Sequence, residues 1–418
     1  MSEQELAELH SGIDRNLGKK KKIYVPYMSD HGHALVGAFR NQGLTATMLP
    51  KPDSDCLEYG RRHSEGGECL PFVVTTGQLI KLIQEDPEFK PDKSAFFMPT
   101  SSGPCRFGQY HTAQKLILEH LDKPVEIISL NAYNSYTAEG LGLDFRNLAW
   151  QGIVAVDFLQ KILWETRPYE RETGAADSVY EESLEVIKSG MAEDGTSGLI
   201  EALKGIGEKF ESIETEPGDR PLIGVVGEIY VRANELCNCN LVRLIEDLGG
   251  EVRIAPMAEW LYYTNRKKKQ DGFRNRDFFK YLKGWAKDLV QHYGERKVKS
   301  NFSDYLDESD LSEPPVGELV DNSHPYIPED YRGEPVLEIG KAIDYAKRGA
   351  DGIITVTPFS CMPGSMIISV SDLVKKDHQN IPWLNLTFDA QQSTNIKTRL
   401  EPFIFQAKKF KEKHSSSS

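Results

Sequence analysis

A chain of 418 residues with a net charge of -13 is too long for one compact core and calls for two or three domains. Its 39% hydrophobic and 10% aromatic residues are spread along the length, which excludes a disordered or fibrous class. The acidic balance argues against a nucleic-acid partner, which needs a concentrated basic surface, and no stretch approaches the ~20 apolar residues of a membrane span.

The first residues, "MSEQELAELHSG", carry no basic flank leading into an apolar run, so no export signal is read and a cytoplasmic protein is expected. The basic run Gly18–Lys22 precedes the apolar "IYVPYM" and reads as the solvated flank of a first strand. From there the chain alternates as parallel βα units do. Strands are expected at 22–28, 44–50, 94–100 and 124–130, with helices at 33–43, 72–86 and 109–121. Together they predict an open α/β domain over residues 1–150.

Between Asn147 and Glu214 the apolar period becomes helical with few β-branched runs, which predicts a helical connector over 151–218. The turn-rich "EPGDRP" and the strand "LIGVVG" restart the α/β pattern, followed by a helix at 240–250 and a strand at 251–256. A helical, charged and aromatic insertion is expected at about 259–334. The pattern then resumes with helices at 336–350 and 365–376, strands at 351–360 and 381–389, and a long helix from Asn395 to about Lys411. A second α/β domain, 219–418, therefore encloses the insertion. No internal repeat of 20–50 residues is present.

Six cysteines are too sparse for a disulfide scaffold, so thiols or metal ligands are expected. Cys69 in "SEGGECLPF", Cys105 in "SSGPCRFG" and Cys361 in "TPFSCMPGS" each have Pro and Gly close by and open an expected helix, the last two directly after a strand. Such positions offer unpaired backbone N–H groups and the positive end of a helix, which favour a thiolate and an anionic cluster. Cys237 and Cys239 in "NELCNCN" again follow a strand, while Cys56 sits in "DSDCLEYG", which has helical character of its own. Structural zinc usually takes paired C-x-x-C ligands, absent here, whereas thiolate ligands from distant loops suit iron–sulfur clusters.

His31 and His33 in "SDHGHALVG" stand at the first strand-to-helix junction, where they open a helix or line the same cleft. Neither a G-x-x-x-x-G-K-[ST] run nor a G-x-G-x-x-G after a strand is found, so ATP must be handled by another chain.

With "GRRHSEGGECLPFVVTTGQL", "FFMPTSSGPCRFGQYH", "TPFSCMPGS" and "FDAQQSTNIKTRLEPF" together, the chain resembles the 2-hydroxyacyl-CoA dehydratase superfamily. The likeness is to the activase-associated branch related to double-cubane cluster proteins and runs from Ile23 to about Phe410. It implies two Rossmann-like domains whose cysteines hold an iron–sulfur cluster in the cleft between them. A homodimeric, ATP-hydrolysing iron–sulfur activase would supply low-potential electrons. A double-cubane cluster, with eight irons and nine sulfurs, takes three cysteines per cubane, which the six cysteines match in number. One cubane is then expected on Cys56, Cys69 and Cys105, the other on Cys237, Cys239 and Cys361, three from each α/β half. Arg106, Gln109 and Tyr110, within a helical turn of Cys105, are expected to surround the cluster and tune its potential. The implied function is an oxidoreductase component reducing a small-molecule substrate, the chain itself a homodimer. The alternatives are a dehydratase-like subunit with a single four-iron four-sulfur cluster and a non-catalytic electron-transfer partner. The basic and aromatic "YYTNRKKKQDGFRNRDFF" in the insertion is expected either to dock the activase or to be a solvated helical face.

Overall fold

A computed structural model describes residues 21–101, 103–130, 141–276, 278–391 and 395–415. The first segment, most of the Gly18–Lys22 run and part of "FDAQQSTNIKTRLEPF" lie outside them. Strand β1 (Lys22–Val25) leads into helix α1 (Gly32–Asn41) and strand β2 (Ala46–Met48). Helices α2 (Ser54–Arg62) and α3 (Leu70–Glu85) precede β3 (Ser94–Phe97), α4 (Tyr110–His120) and β4 (Glu126–Ile128). All pairings are parallel, in the order β2-β1-β3-β4, with Ile23 opposite both Ala46 and Ala95. Every residue of β3 is buried, as expected of a parallel strand covered on both faces.

Two long helices follow. α5 (Gly142–Thr166) is buried on most of its circumference, and Phe145 near its start stacks on Phe39 of α1 at 4.9 Å. Helix α6 (Ala175–Leu203) breaks at Gly195, whose φ of +59° and ψ of -131° no helix contains. The chain folds back there so tightly that a Cβ on Gly198 would lie 2.0 Å from the Gly190 carbonyl oxygen, which only glycine avoids.

The second sheet begins with β5 (Leu222–Gly227), followed by the short helices α7 (Ile229–Ala233), α8 (Glu235–Asn238) and α9 (Leu241–Asp247), then β6 (Glu251–Ile254). The insertion holds α10 (Ala258–Arg274), α11 (Phe278–Lys299) and α12 (Val316–Ser323). Helix α13 (Glu334–Lys347), strand β7 (Gly352–Pro358), helix α14 (Met362–Asp377), strand β8 (Trp383–Phe388) and helix α15 (Ile396–Ser415) complete the chain. This sheet, β6-β5-β7-β8, repeats the order of the first and is again all parallel. The α/β class with two such sheets is the one the residue pattern predicts.

One apolar core runs through both sheets, from Ile23 and Phe39 by way of α5 to Ile223, Ile354 and Leu400. Ion pairs reinforce the junction. Arg167, just past α5, grips Glu246 of α9 through two bonds of 2.9 and 2.8 Å and also reaches Asp177 at 3.0 Å. No described helix is long and apolar enough to cross a membrane.

In each sheet the chain order reverses between the two central strands, β1 and β3 in one and β5 and β7 in the other. Loops diverge at the carboxyl ends of such strands and leave a crevice, the usual ligand position of open α/β sheets. Residues from the loops after β1, β3, β5 and β6, among them Ser29, Cys105, Glu228 and Met257, line one shared cavity of about 270 Å³.

Candidate functional site

Three cysteines share one local device, and Cys105 among them lines this cavity. Cys69 caps the N-terminus of α3, Cys361 caps α14, and Cys105 caps the single 3-10 turn Arg106–Gln109 that leads into α4. Pro71 and Pro363 occupy the first turns of α3 and α14, where a missing N–H costs nothing. The Cys361 sulfur accepts the Gly364 amide of its own first turn at 3.4 Å, and the Phe72 and Phe107 amides favour the charged forms of Cys69 and Cys105. These amides and the helix ends favour a thiolate. Burial outweighs them, pushing all three thiols upward, Cys361 to about 12. Without a cation the three are therefore neutral thiols.

The three thiols are electrostatic neighbours, since the charge of Cys361 reaches Cys105 and that of Cys69 reaches Cys361. The remaining cysteines form a different group. Cys56 is buried in the first turn of α2, its amide held by Asp53 at 3.1 Å and its thiol raised by burial to about 11. Cys237 is buried in α8 beside Tyr230, and the charges of Cys237 and Cys56 both reach that tyrosine. Cys239 does not open a helix; it closes α8 with a left-handed φ of +56°. Spatial grouping thus differs from the expected division by halves: Cys361 of the second sheet joins Cys69 and Cys105, whereas Cys56 of the first lies toward Cys237. The loops at the carboxyl ends of the two sheets face one another, so neighbours in space come from opposite halves. Among the described residues, no three His, Cys, Asp or Glu side chains gather round one point as a single metal ion requires.

Of the residues flanking Cys105, Tyr110 is buried with its hydroxyl in hydrogen-bond contact with the Cys69 sulfur, and it packs edge-on against Phe72 and Phe107 at 5.2 Å each. Arg106 is exposed and donates to the Gly67 carbonyl, tying down the loop that carries Cys69. Gln109 is exposed at the entry to α4.

Of the two histidines, His31 borders the cavity. His31 is buried, with Nε2 2.9 Å from Asp157 of α5 and Nδ1 3.1 Å from the Ser29 hydroxyl. The same Asp157 accepts the Met257 and Ala258 amides at 2.9 and 3.0 Å, capping α10 of the second half. His31 borders the cavity, but its bonds are those of a joint between the halves. His33 borders, together with His31, a second and polar cleft; it lies 3.4 Å from Glu185, and burial lowers its pKa. Asp157→Ala should cost about 2–4 kcal/mol, because it orphans two amides and an imidazole together. Urea unfolding at neutral pH measures this, and a loss below about 1 kcal/mol would contradict the joint.

Sequence reasoning passed over a buried charge cluster beside the thiols. Glu228 caps α7 and accepts the Val231 amide at 2.8 Å; Glu338 of α13 accepts the Gly227 amide at 2.7 Å and pairs with Arg232. Glu334 opens α13 and, like Glu228, borders the cavity. Burial raises both Glu228, to about 7, and Glu334, and the other carboxylates raise them further, with Arg232 opposing. Glu228 is the acid whose charge reaches Cys69, Cys105, Cys237 and Cys361 alike. The available signal was its place, an acid immediately after the strand "LIGVVG".

The folded chain holds the Glu228 proton up to about pH 7, whereas an unfolded glutamate releases it near pH ~4.3. Its contribution is therefore fully present in acid and lost as pH rises through about 7. Glu228→Gln should leave stability unchanged at about pH 4 and raise it progressively relative to the parent up to about pH 8.5. Equal pH profiles of unfolding for the two proteins would refute this.

The expected docking run in the insertion is internally paired. Arg266 and Lys267 meet Glu329 at 3.2 and 3.3 Å, and Arg274 meets Asp330 at 3.3 Å. A scan against protein-family models finds no match to this chain, and a search of curated proteins finds none either.

Proposed function

We propose that the chain is the reductase component of an activase-coupled iron–sulfur system, holding its cluster on cysteines at the cleft between the two sheets. The observation that carries this reading is that Cys69, Cys105 and Cys361 cap three separate helical turns drawn from both halves, Cys105 at the cavity between the sheets. Their chemistry fits the group, because thiols that burial keeps neutral become thiolates when a cationic metal replaces the proton. When bound, such a cluster supplies electrons singly at low potential. The protein's own residues supply the remainder. Apolar side chains, including Pro26, Leu130 and Ile153, make up most of the cavity wall, and Glu228 and Glu334 hold protons at its edge.

A cavity bordered by Cys105 supports a catalytic role over that of a passive electron carrier, which would need only a buried cluster. Within this reading, the six cysteines favour a double cubane of eight irons and nine sulfurs. Separation of Cys56 and Cys237, both near Tyr230, from Cys69, Cys105 and Cys361 favours the second reading, a dehydratase-like subunit with one four-iron cluster. In either case the electron donor is an ATP-hydrolysing activase, itself an iron–sulfur homodimer, docking over the cleft of a homodimeric partner. Mixing reduced activase with this chain should reduce it, followed by electron paramagnetic resonance, only while ATP is hydrolysed. Equal reduction with and without ATP would refute the coupling.

A further inference from the structure

Arg146 is a buried cation that the fold leaves without a hydrogen-bonded counter-ion. It lies on α5, 9% exposed, on the face that also presents Ala149, Trp150 and Ile153 to the cavity between the sheets. Among the described residues the one charge that reaches it is Asp288, whose Oδ2 is paired with Lys269 and whose Oδ1, though unpartnered, makes no hydrogen bond to the guanidinium. A guanidinium stays protonated in proteins, so here it is a buried positive charge with donors to spare. Burying such a charge without a partner is costly, and an anion bound in the cavity would offset that cost.

We propose that the cavity takes a small monoanion with an apolar body, an aliphatic or aromatic carboxylate, whose carboxylate is held by Arg146. The walls are apolar over most of their area, as the body of such a ligand requires. Two acids that share the cavity would repel an anion if ionised. Burial holds Glu334 toward its neutral form, and Glu228 likewise below about pH 7, so in that range Arg146 sets the sign of the site. A planar carboxylate matches the guanidinium fork with two parallel bonds, which an ammonium cannot reproduce. The inference takes the cleft as the substrate site of the reading above and names the class of compound it admits.

Calorimetric titration of the anaerobically purified protein with hexanoate, benzoate and the neutral hexanamide tests it, with iron measured on the same sample. The carboxylates should bind about tenfold or more tightly than the amide. Arg146→Met should abolish that preference while raising the thermal midpoint without ligand, since the uncompensated charge is gone; Arg146→Lys should restore part of the preference. Absence of carboxylate binding, equal affinity for acid and amide, or an Arg146→Met protein that binds as the parent does would each overturn the proposal. Iron present without binding refutes this inference alone, whereas binding without iron refutes the cluster reading alone.

Discussion

Cys105→Ala should strip the protein of most of its iron when both are purified without oxygen. Cys105 stands between the other two thiols of its group in chain order and shares its electrostatic surroundings with Cys361 and Tyr110. It is also the ligand candidate on the least supported element, a single 3-10 turn. Losing it removes one ligand and also a source of folding energy, because metal ligation orders the loops that provide it. The same change at Cys239, which closes a helix in a left-handed conformation, should lose less iron if only the cavity group binds. Iron per chain by mass spectrometry measures both. Full occupancy in Cys105→Ala would remove that residue from the ligand set.

Arg232→Met should be the most destabilising single change near the site, by about 3–5 kcal/mol at neutral pH. Arg232 is 4% exposed, pairs with Glu338 and donates to the Gly227 carbonyl at 3.0 Å. Its charge is also what opposes the rise of Glu228 and Glu334. Without it, acids in the interior must ionise unpaired or take up protons. Acid supplies those protons, so the loss should shrink as pH falls from about 8 toward about 5. Denaturant unfolding across that range measures the effect, and a pH-independent loss would show that the guanidinium acts by packing alone.

Much of this architecture was legible in the residues. Buried runs such as "SAFF" and "GIITVTP", each followed by an apolar helix, gave both parallel sheets, since a strand covered on two faces needs no alternation. The capping places of Cys69, Cys105 and Cys361 followed from Pro and Gly beside them. The reversal inside α6 was hidden because Gly195 is one of several glycines in a helical pattern, and nothing local distinguishes the one that turns the chain. Grouping of the cysteines was hidden for another reason. Cys361 lies far along the chain from Cys105, and only the facing of the two crevices brings their thiols together. Arg146 and Glu334 look like ordinary surface charges in sequence, because burial of a charge is a property of its neighbours rather than of its own segment.

The central claim is that this chain holds an iron–sulfur cluster on its cleft cysteines. Iron and acid-labile sulfide per chain, measured after strictly anaerobic purification together with a resonance spectrum of the reduced protein, tests it most directly. The account predicts about eight irons for a double cubane or about four for a single cluster, with sulfide in near-equal amount. A folded protein with neither iron nor sulfide, and with all six thiols titrating as free, would contradict it.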